Sequence, residues 1–153
     1  MAPSDAEGLV AFHEALSSDS VILRFFGPHP HLSDKEVQRF TTVDGVDRVA
    51  LVAEQDGCLV AVARYDRPPG SEEAEVAFVV ADHLQGHGLG PILLRRLVVA
   101  GRAHGVSRFV AETLSDNHRL LGMLRDAGFA RHYERSSDVI RVVLDITTGG
   151  ETA

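Results

Sequence analysis

Glycines alternate with larger residues in Gln85-Gly86-His87-Gly88-Leu89-Gly90, between an apolar run and a predicted helix. Glycine has no side chain, so the backbone N–H groups of such a loop can approach an anion closely. The N-terminus of the following helix adds partial positive charge. The residue types and spacing therefore predict a loop that holds a phosphate group through its backbone.

Two other interpretations of this loop stay open from the residues alone. The three glycines resemble the turn of a dinucleotide-binding fold, in which Glu112, roughly 20 residues further on, would bind the ribose. Against this, the third glycine comes one position early, and three predicted strands precede the loop. Glycines also occur where a helix simply packs closely against a sheet.

Two carboxylates lie on the predicted strands nearest to the loop. Glu75 is near the start of the strand that leads into the loop, and Glu112 is near the end of the next strand along the chain. A carboxylate in a cleft can take a proton from a reacting group. The alternative for each is a structural role, as an exposed acid paired with arginine or placed near a helix start.

The eight histidines do not predict a metal site. His83 and His87 are four residues apart, which suits metal binding on a helix, but the glycines beside His87 favour a loop. His13-Glu14 does not continue into H-E-x-x-H, because position 17 is serine. Zinc needs three converging protein ligands as a rule, so we expect no metal.

The elements that must position these residues follow from hydrophobic periodicity and turn residues. Asp56-Gly57 predicts a tight hairpin, and Ser33 with Glu36 predicts a capped helix start. The apolar run Val21–Phe26 fits either a helix or a strand. The predicted helices are Ala6–Leu16, Ser33–Thr41, Gly88–His104 and Asn117–Ala127, and the predicted strands are Arg48–Gln55, Cys58–Tyr65, Glu73–Val80, Arg108–Thr113, Phe129–Glu134 and Val139–Ile146.

This order of elements, α-α-β-β-β-α-β-α-β-β, predicts an α/β protein with a mixed, mostly antiparallel sheet flanked by helices. The 153 residues suit one domain, 1–153, with a core over about residues 6–146 and a frayed tail from Thr147. Fifteen basic against 22 acidic residues give a net charge of −7, which argues against a nucleic-acid partner.

The chain has no apolar run long enough to span a membrane and no signal-peptide pattern at Met1–Asp5. Its single cysteine, Cys58, excludes an internal disulfide and is expected to be a buried small apolar residue. These features predict a cytoplasmic protein that does not associate with membranes.

Two motifs in the expected order give a resemblance to a known family. Gln85–Gly90 matches Q/R-x-x-G-x-G/A, and Asn117 starts a predicted helix that ends in Gly128-Phe129. The chain resembles the GNAT acyltransferases over about residues 6–146. More narrowly, it is similar to the catalytic domain of bacterial Pat-type protein lysine acetyltransferases in Ser20-x-x-x-Arg24-Phe25-Phe26, Ala74-Glu75-Val76-Ala77 and Asn117-x-x-Leu120-Leu121.

The resemblance implies the GNAT fold and acetyl transfer from acetyl-CoA to an amine, with a protein lysine favoured as acceptor. It implies Glu75 as general base, with Glu112 as a second candidate, and no metal. A small-molecule amine as acceptor, or a catalytically silent acyl-CoA-binding module, are the alternatives. We expect a monomer or weak dimer. The coenzyme contacts that it implies are Phe78, Val80, Gln85, Gly86, His87, Gly88, Leu89, Gly90 and Asn117.

Three features depart from the family pattern. The first predicted helix starts within a few residues of Met1, so the strand that usually precedes it is short or missing. His87 stands where arginine is common in the loop. Leu124 stands where many members have a tyrosine general acid, so that position cannot protonate the leaving thiolate.

Overall fold

The computed structural model describes residues 1–148, so the tail predicted from Thr147 lies almost wholly outside the described residues. Its centre is a six-stranded sheet with the order β1-β2-β3-β4-β6-β5. All neighbouring strands are antiparallel except β3 and β4, which are parallel, as the mixed-sheet prediction requires. The strands are β1 (Arg48–Gln55), β2 (Cys58–Asp66), β3 (Glu73–Val80), β4 (Arg108–Leu114), β5 (Ala130–Ser136) and β6 (Val139–Asp145).

Three helices, not the two predicted, precede the sheet. The apolar run that periodicity left undecided is helical, because Ser17 caps its start by accepting a hydrogen bond from the Ser20 N–H at 3.1 Å. In the described chain no strand precedes the first helix, which follows a 3₁₀ turn at Pro3–Asp5. The helices are α1 (Ala6–Glu14), α2 (Ser18–Phe25), α3 (Asp34–Thr41), α4 (Leu89–Ala103) and α5 (His118–Asp126).

Apolar side chains fill both faces of the sheet. On one face α4 and α5 bury the main core, whose largest fully buried members include Tyr65, Phe109 and Leu97. On the other face α1 packs Leu9 and Phe12 against β2. Full burial of a side chain of this size is worth about 1.5–3 kcal/mol, so these two clusters fix the helices on the sheet.

The sheet opens at its only parallel pair. β3 and β4 pair over four residues each, Glu73–Val76 with Arg108–Ala111, although both strands continue beyond. From Ala77 to Val80, β3 keeps its pairing with β2 but has no strand on its other side. Backbone groups along that edge have no strand partner and can bind a ligand, except the Val80 carbonyl oxygen, which accepts from Nε2 of Gln85 at 3.0 Å.

One burial prediction is wrong. Cys58 was expected to be buried among apolar neighbours, but it is exposed. It is the first residue of β2, directly after the Asp56-Gly57 turn, where both residues adopt positive φ. Its apolar neighbours Leu59 and Val60 are buried further along the same strand.

Candidate active site

A cavity of about 740 Å³ lies where β3 and β4 separate. Its walls come from α2, β3 from Glu75 onward, Glu112 of β4, the glycine loop and α5. Ligand pockets are typically a few hundred to about 1,000 Å³, so the cavity has the size of a binding site. All predicted site residues except His87 line it: Glu75, Phe78, Val80, Gln85, Gly86, Gly88, Leu89, Gly90, Glu112 and Asn117.

The first two glycines of the loop are required by backbone conformation. Gly86 has φ +79° and Gly88 has φ +89°, in the left-handed region that other residues adopt at a cost. Gly88 is also the N-cap residue that directly precedes α4. The first N–H groups of a helix have no partner within the helix, so the loop and the start of α4 together offer donors to an anion.

Gly90 has a different reason to be glycine. It lies in the first turn of α4, and a Cβ built on it would be 2.5 Å from Sδ of Met123 on α5. Glycine here lets the two helices approach closely. Close packing between α4 and α5 therefore requires glycine at position 90, while the positive φ angles favour glycine at positions 86 and 88.

The side chain of Gln85 forms hydrogen bonds within the protein and does not extend into the cavity as a free amide. Its Nε2 donates to the Ser20 hydroxyl and to the Val80 carbonyl oxygen, both at 3.0 Å. These bonds join β3, the loop and α2. Gln85 therefore holds the walls of the cavity together, and its backbone N–H donates to the Asp82 carbonyl oxygen at 3.3 Å.

Asp82 reinforces this link between α2 and the loop. Its carboxylate accepts hydrogen bonds from the Ser17 N–H at 3.0 Å, the Ser17 hydroxyl at 2.6 Å and the Ser20 hydroxyl at 3.1 Å. Burial pushes the pKa of Asp82 upward, but these bonds to the ionised form outweigh burial and leave the pKa below its usual value.

Glu75 lies on β3 with an exposed side chain in the cavity. The partly buried Arg24 of α2 lines the same cavity, and burial lowers the pKa of Arg24. The charge of Glu75 is the strongest influence that raises it again, followed by Asp66. Burial and the nearby Arg24 lower the pKa of Arg64 to about 10. The carboxylate of Glu75 thus balances a buried concentration of positive charge.

Glu112 enters the same cavity from the other side of the opening. It lies on β4 after the pairing with β3 has ended, and its neighbour across to β6 is Arg141. Arg141 donates to Glu73 at 3.0 Å. The structure therefore brings the two candidate carboxylates, Glu75 and Glu112, to one cavity on strands that separate.

Asn117 caps α5, because its side-chain oxygen accepts from the Leu120 N–H at 3.2 Å. Leu124 of the same helix is fully buried in the main core. Tyr65 is also fully buried and donates to the Val46 carbonyl oxygen at 3.0 Å. Neither of the two tyrosines of the chain, Tyr65 and Tyr133, lines the cavity, so no phenol is offered there as a proton donor.

Sequence reasoning gave no role to two arginines that line the cavity, Arg24 and Arg119. The motif Ser20-x-x-x-Arg24 carried a signal, since a spacing of four places both residues on one helix face. Arg119 carried no signal except its position two residues after Asn117. In contrast, the side chain of the predicted His87 is exposed and does not line the cavity.

Over residues 1–148, no three side chains of the types that bind metals come close enough together to hold an ion. In the same part of the chain, every helix is too short or too polar to cross a membrane.

The sheet opens at the parallel pair β3–β4 and has a glycine loop after the opened strand, which is the arrangement that the resemblance to GNAT acyltransferases implies. The model of the Acetyltransferase (GNAT) family matches residues 11–129, and the chain belongs to this family. The predicted fold, enzyme class and cosubstrate are thereby confirmed.

Two similar proteins within this family are both Pat acetyltransferases. The acetyltransferase Pat of Mycolicibacterium smegmatis is 44% identical over 62 residues, which are 40% of this chain and only 19% of that protein. The GNAT domain of PAT from S. lividans is 40% identical, with a TM-score of 0.89 over 95% of this chain and 87% of that one. The narrower resemblance to Pat-type enzymes is confirmed.

A more distant structure shares the fold alone. YncA from Salmonella typhimurium, solved with its cofactor acetyl-CoA, has a TM-score of 0.76 at 18% identity. The alignment covers all of this chain and 96% of that one.

Proposed function

We propose that this chain transfers the acetyl group of acetyl-CoA to a lysine side chain of a protein, with Glu75 as the general base. The observation that carries the proposal is the position of Glu75 and the glycine loop at opposite ends of one opened strand. Glu75 and Val80 are five residues apart on β3, roughly 17 Å at 3.3 Å per residue. A long, narrow ligand with a phosphate at one end and its reactive group at the other fits this spacing.

Coenzyme A has this form, and the residues present suit it. The loop backbone from Gln85 to Gly90 would hold the diphosphate, and the open edge of β3 at Phe78 and Val80 would bind the amides of the pantetheine arm. Asn117 lines the cavity beside that arm. Acetyl-CoA supplies an activated thioester carbonyl.

Glu75 would prepare the acceptor. A lysine ammonium has a pKa of about 10.4 and must lose a proton before it can attack a carbonyl. Glu75 accepts that proton, and the neutral nitrogen attacks the thioester carbon. As the C–S bond breaks and the thiolate leaves, the nitrogen of the new C–N bond loses a second proton to water. A backbone N–H on the open edge of β3 would stabilise the charge that develops on the carbonyl oxygen.

The leaving group needs no side-chain acid. Leu124 is buried where a tyrosine would stand, and both tyrosines lie away from the cavity. A cysteine-like thiol has a pKa of about 8.5, so the thiolate can leave near neutral pH and take its proton from water.

Two observations favour a protein lysine as acceptor. The proteins with the higher identities given above carry the Pat name, and the acceptor end of the cavity presents the carboxylates of Glu75 and Glu112. Together with the net charge of −7, these carboxylates favour a cationic acceptor. A cytoplasmic location and a monomeric or weakly dimeric state stay predictions.

The test combines calorimetry with turnover. Acetyl-CoA should bind the folded chain, and thiol release should require an added amine, with lysine peptides and proteins preferred over polyamines and aminoglycosides. Absence of binding at millimolar acetyl-CoA would overturn the whole proposal. Binding without turnover would identify a silent acyl-CoA-binding module, and turnover confined to small amines would overturn the protein acceptor.

A further inference from the structure

Arg119 reaches across from α5 to the glycine loop. A Cβ built on Gly86 would be 2.6 Å from Nη1 of Arg119, so the guanidinium lies directly against the position where a side chain would otherwise stand. The side chain is exposed and lines the cavity. Over residues 1–148 the Arg119 side chain makes no hydrogen bond or ion pair, so its five N–H donors are available to a ligand.

Arg119 is also the source of fixed positive charge at this end of the cavity. Two arginines line the cavity, and the charge of the other, Arg24, interacts with that of Glu75, at the opposite end of the opened strand. The loop's own basic residue, His87, is exposed and does not line the cavity. The nearby acid Asp126 is already paired with Arg125 at 3.1 Å.

We propose that the Arg119 guanidinium binds the diphosphate of the coenzyme, together with the loop backbone at Gly86 and Gly88. A guanidinium is planar and can donate two parallel hydrogen bonds to phosphate oxygens. Gly86 then has a second function besides its positive φ, since any side chain there would displace the guanidinium. This inference rests on the proposed function, because it requires an acyl-CoA in the cavity.

Coenzyme A carries a second phosphate group, on the 3′ position of its ribose. Because Arg119 contacts Gly86 of the glycine loop, we expect it to bind the diphosphate and not this 3′-phosphate. Calorimetry with coenzyme A and with 3′-dephospho-coenzyme A separates them. Arg119→Met should weaken the binding of both ligands by the same factor, roughly tenfold to a hundredfold for a lost charge-assisted contact. Arg119→Lys should recover part of the affinity.

Arg95→Met is the matched control, because Arg95 is an exposed arginine of α4 that does not line the cavity. It should keep the wild-type affinity, and all variants should unfold at the wild-type temperature without ligand. Unchanged affinity of Arg119→Met for both ligands overturns the inference. So does a loss for coenzyme A alone, which would place Arg119 on the 3′-phosphate. Failure of the wild-type chain to bind either ligand would instead overturn the proposed function.

Discussion

Glu75 has two roles in this geometry, as the proposed base and as a counter-charge. The charge of Arg24 lowers the pKa of Arg64, and neither arginine forms an ion pair within residues 1–148. Glu75 and Asp66 are the carboxylates whose charges favour the ionised Arg24. Removal of the Glu75 charge therefore affects both chemistry and packing, and an experiment must separate the two.

Glu75→Gln should lower kcat by about 10²–10⁴, the range for loss of a general base. The affinity for acetyl-CoA should stay within about twofold, because the loop and the edge of β3 are unchanged. Thiol release, calorimetry and thermal unfolding measure the three quantities. Glu72→Gln makes the same change of charge at an exposed residue outside the cavity and should keep full activity. A Glu75→Gln enzyme with normal turnover across the pH range would remove Glu75 from the mechanism.

The loop glycines should respond differently to alanine. Gly88→Ala has space for the methyl group but keeps φ at +89°, so we expect a loss of about 1–2 kcal/mol in the free energy of unfolding. Gly90→Ala instead forces the new methyl group against Met123. A double-mutant cycle with Met123→Ala should show coupling for Gly90→Ala and none for Gly88→Ala. Equal coupling for both glycines would contradict this division.

At the scale of elements, α2 is the link between the two ends of the cavity. Ser17 and Ser20 at its start bind Asp82 and Gln85 beside the loop, while Arg24 in its last turn lines the cavity together with Glu75, whose charge raises the pKa of Arg24. The residues joined here are 62 to 65 positions apart in the chain. One short helix thus sets the position of the acceptor end relative to the coenzyme end.

This link should make the stability of the fold depend on pH in the acid range. Burial raises the folded-state pKa of Asp82, but its hydrogen bonds to Ser17 and Ser20 outweigh burial and leave that pKa below its usual value. The carboxylate therefore stabilises the fold above the pKa of the unfolded state, and the effect is lost as pH falls through the folded-state pKa. The difference in unfolding free energy between wild type and Asp82→Asn should be constant from about pH 7 to pH 5 and shrink below about pH 4.

Urea unfolding over that pH range measures this difference. Asp19→Asn is the control on α2, since Asp19 is exposed and its carboxylate accepts no hydrogen bond recorded in residues 1–148. A difference between wild type and Asp82→Asn that persists unchanged at about pH 3 would show that the ionised carboxylate is not what stabilises the link.

Much of the fold was predictable because its signals are local. The Asp56-Gly57 turn has the positive φ angles expected, and Ser33 with Glu36 forms the predicted capping box. Gly105 and Gly128 also have positive φ at the ends of α4 and α5. Each of these features depends on residues within one turn of each other, so the sequence pattern was sufficient.

The rest depended on contacts that a local pattern does not contain. The state of Val21–Phe26 was ambiguous because a short apolar run fits helix and strand equally well. The apolar neighbours of Cys58 predict that it is buried, but its position directly after the turn leaves it exposed. The approach of Arg119 to Gly86 joins residues from two distant elements, and it becomes visible only once α5 is packed beside α4.

At the scale of the whole molecule, the chain is nearly free of competing acceptors. Lys35 is its only lysine, and it is exposed on α3. Arginine cannot give up its proton near neutral pH, so it is not acetylated by this chemistry. Self-acetylation should therefore occur on the side chain of Lys35 and on no other side chain.

The variant Lys35→Arg makes this prediction measurable. Mass spectrometry after incubation with acetyl-CoA should show no acetylated side chain in the variant, while turnover of a lysine peptide is unchanged because position 35 does not line the cavity. Any acetyl-lysine detected in a mixture with this variant then belongs to the acceptor protein. Acetyl groups on other side chains of the enzyme would contradict amine-directed chemistry.

The short pairing between β3 and β4 divides the sheet into two halves of three strands, held side by side by four residue pairs. A coenzyme bound in the gap would contact both halves of the sheet and stabilise their relative position for as long as it is bound. Binding of the coenzyme should slow amide hydrogen exchange far from the cavity, in β1 as well as in β5. Its release should restore the faster exchange of the free protein. The bound cosubstrate would then stabilise the sheet that forms its own binding site.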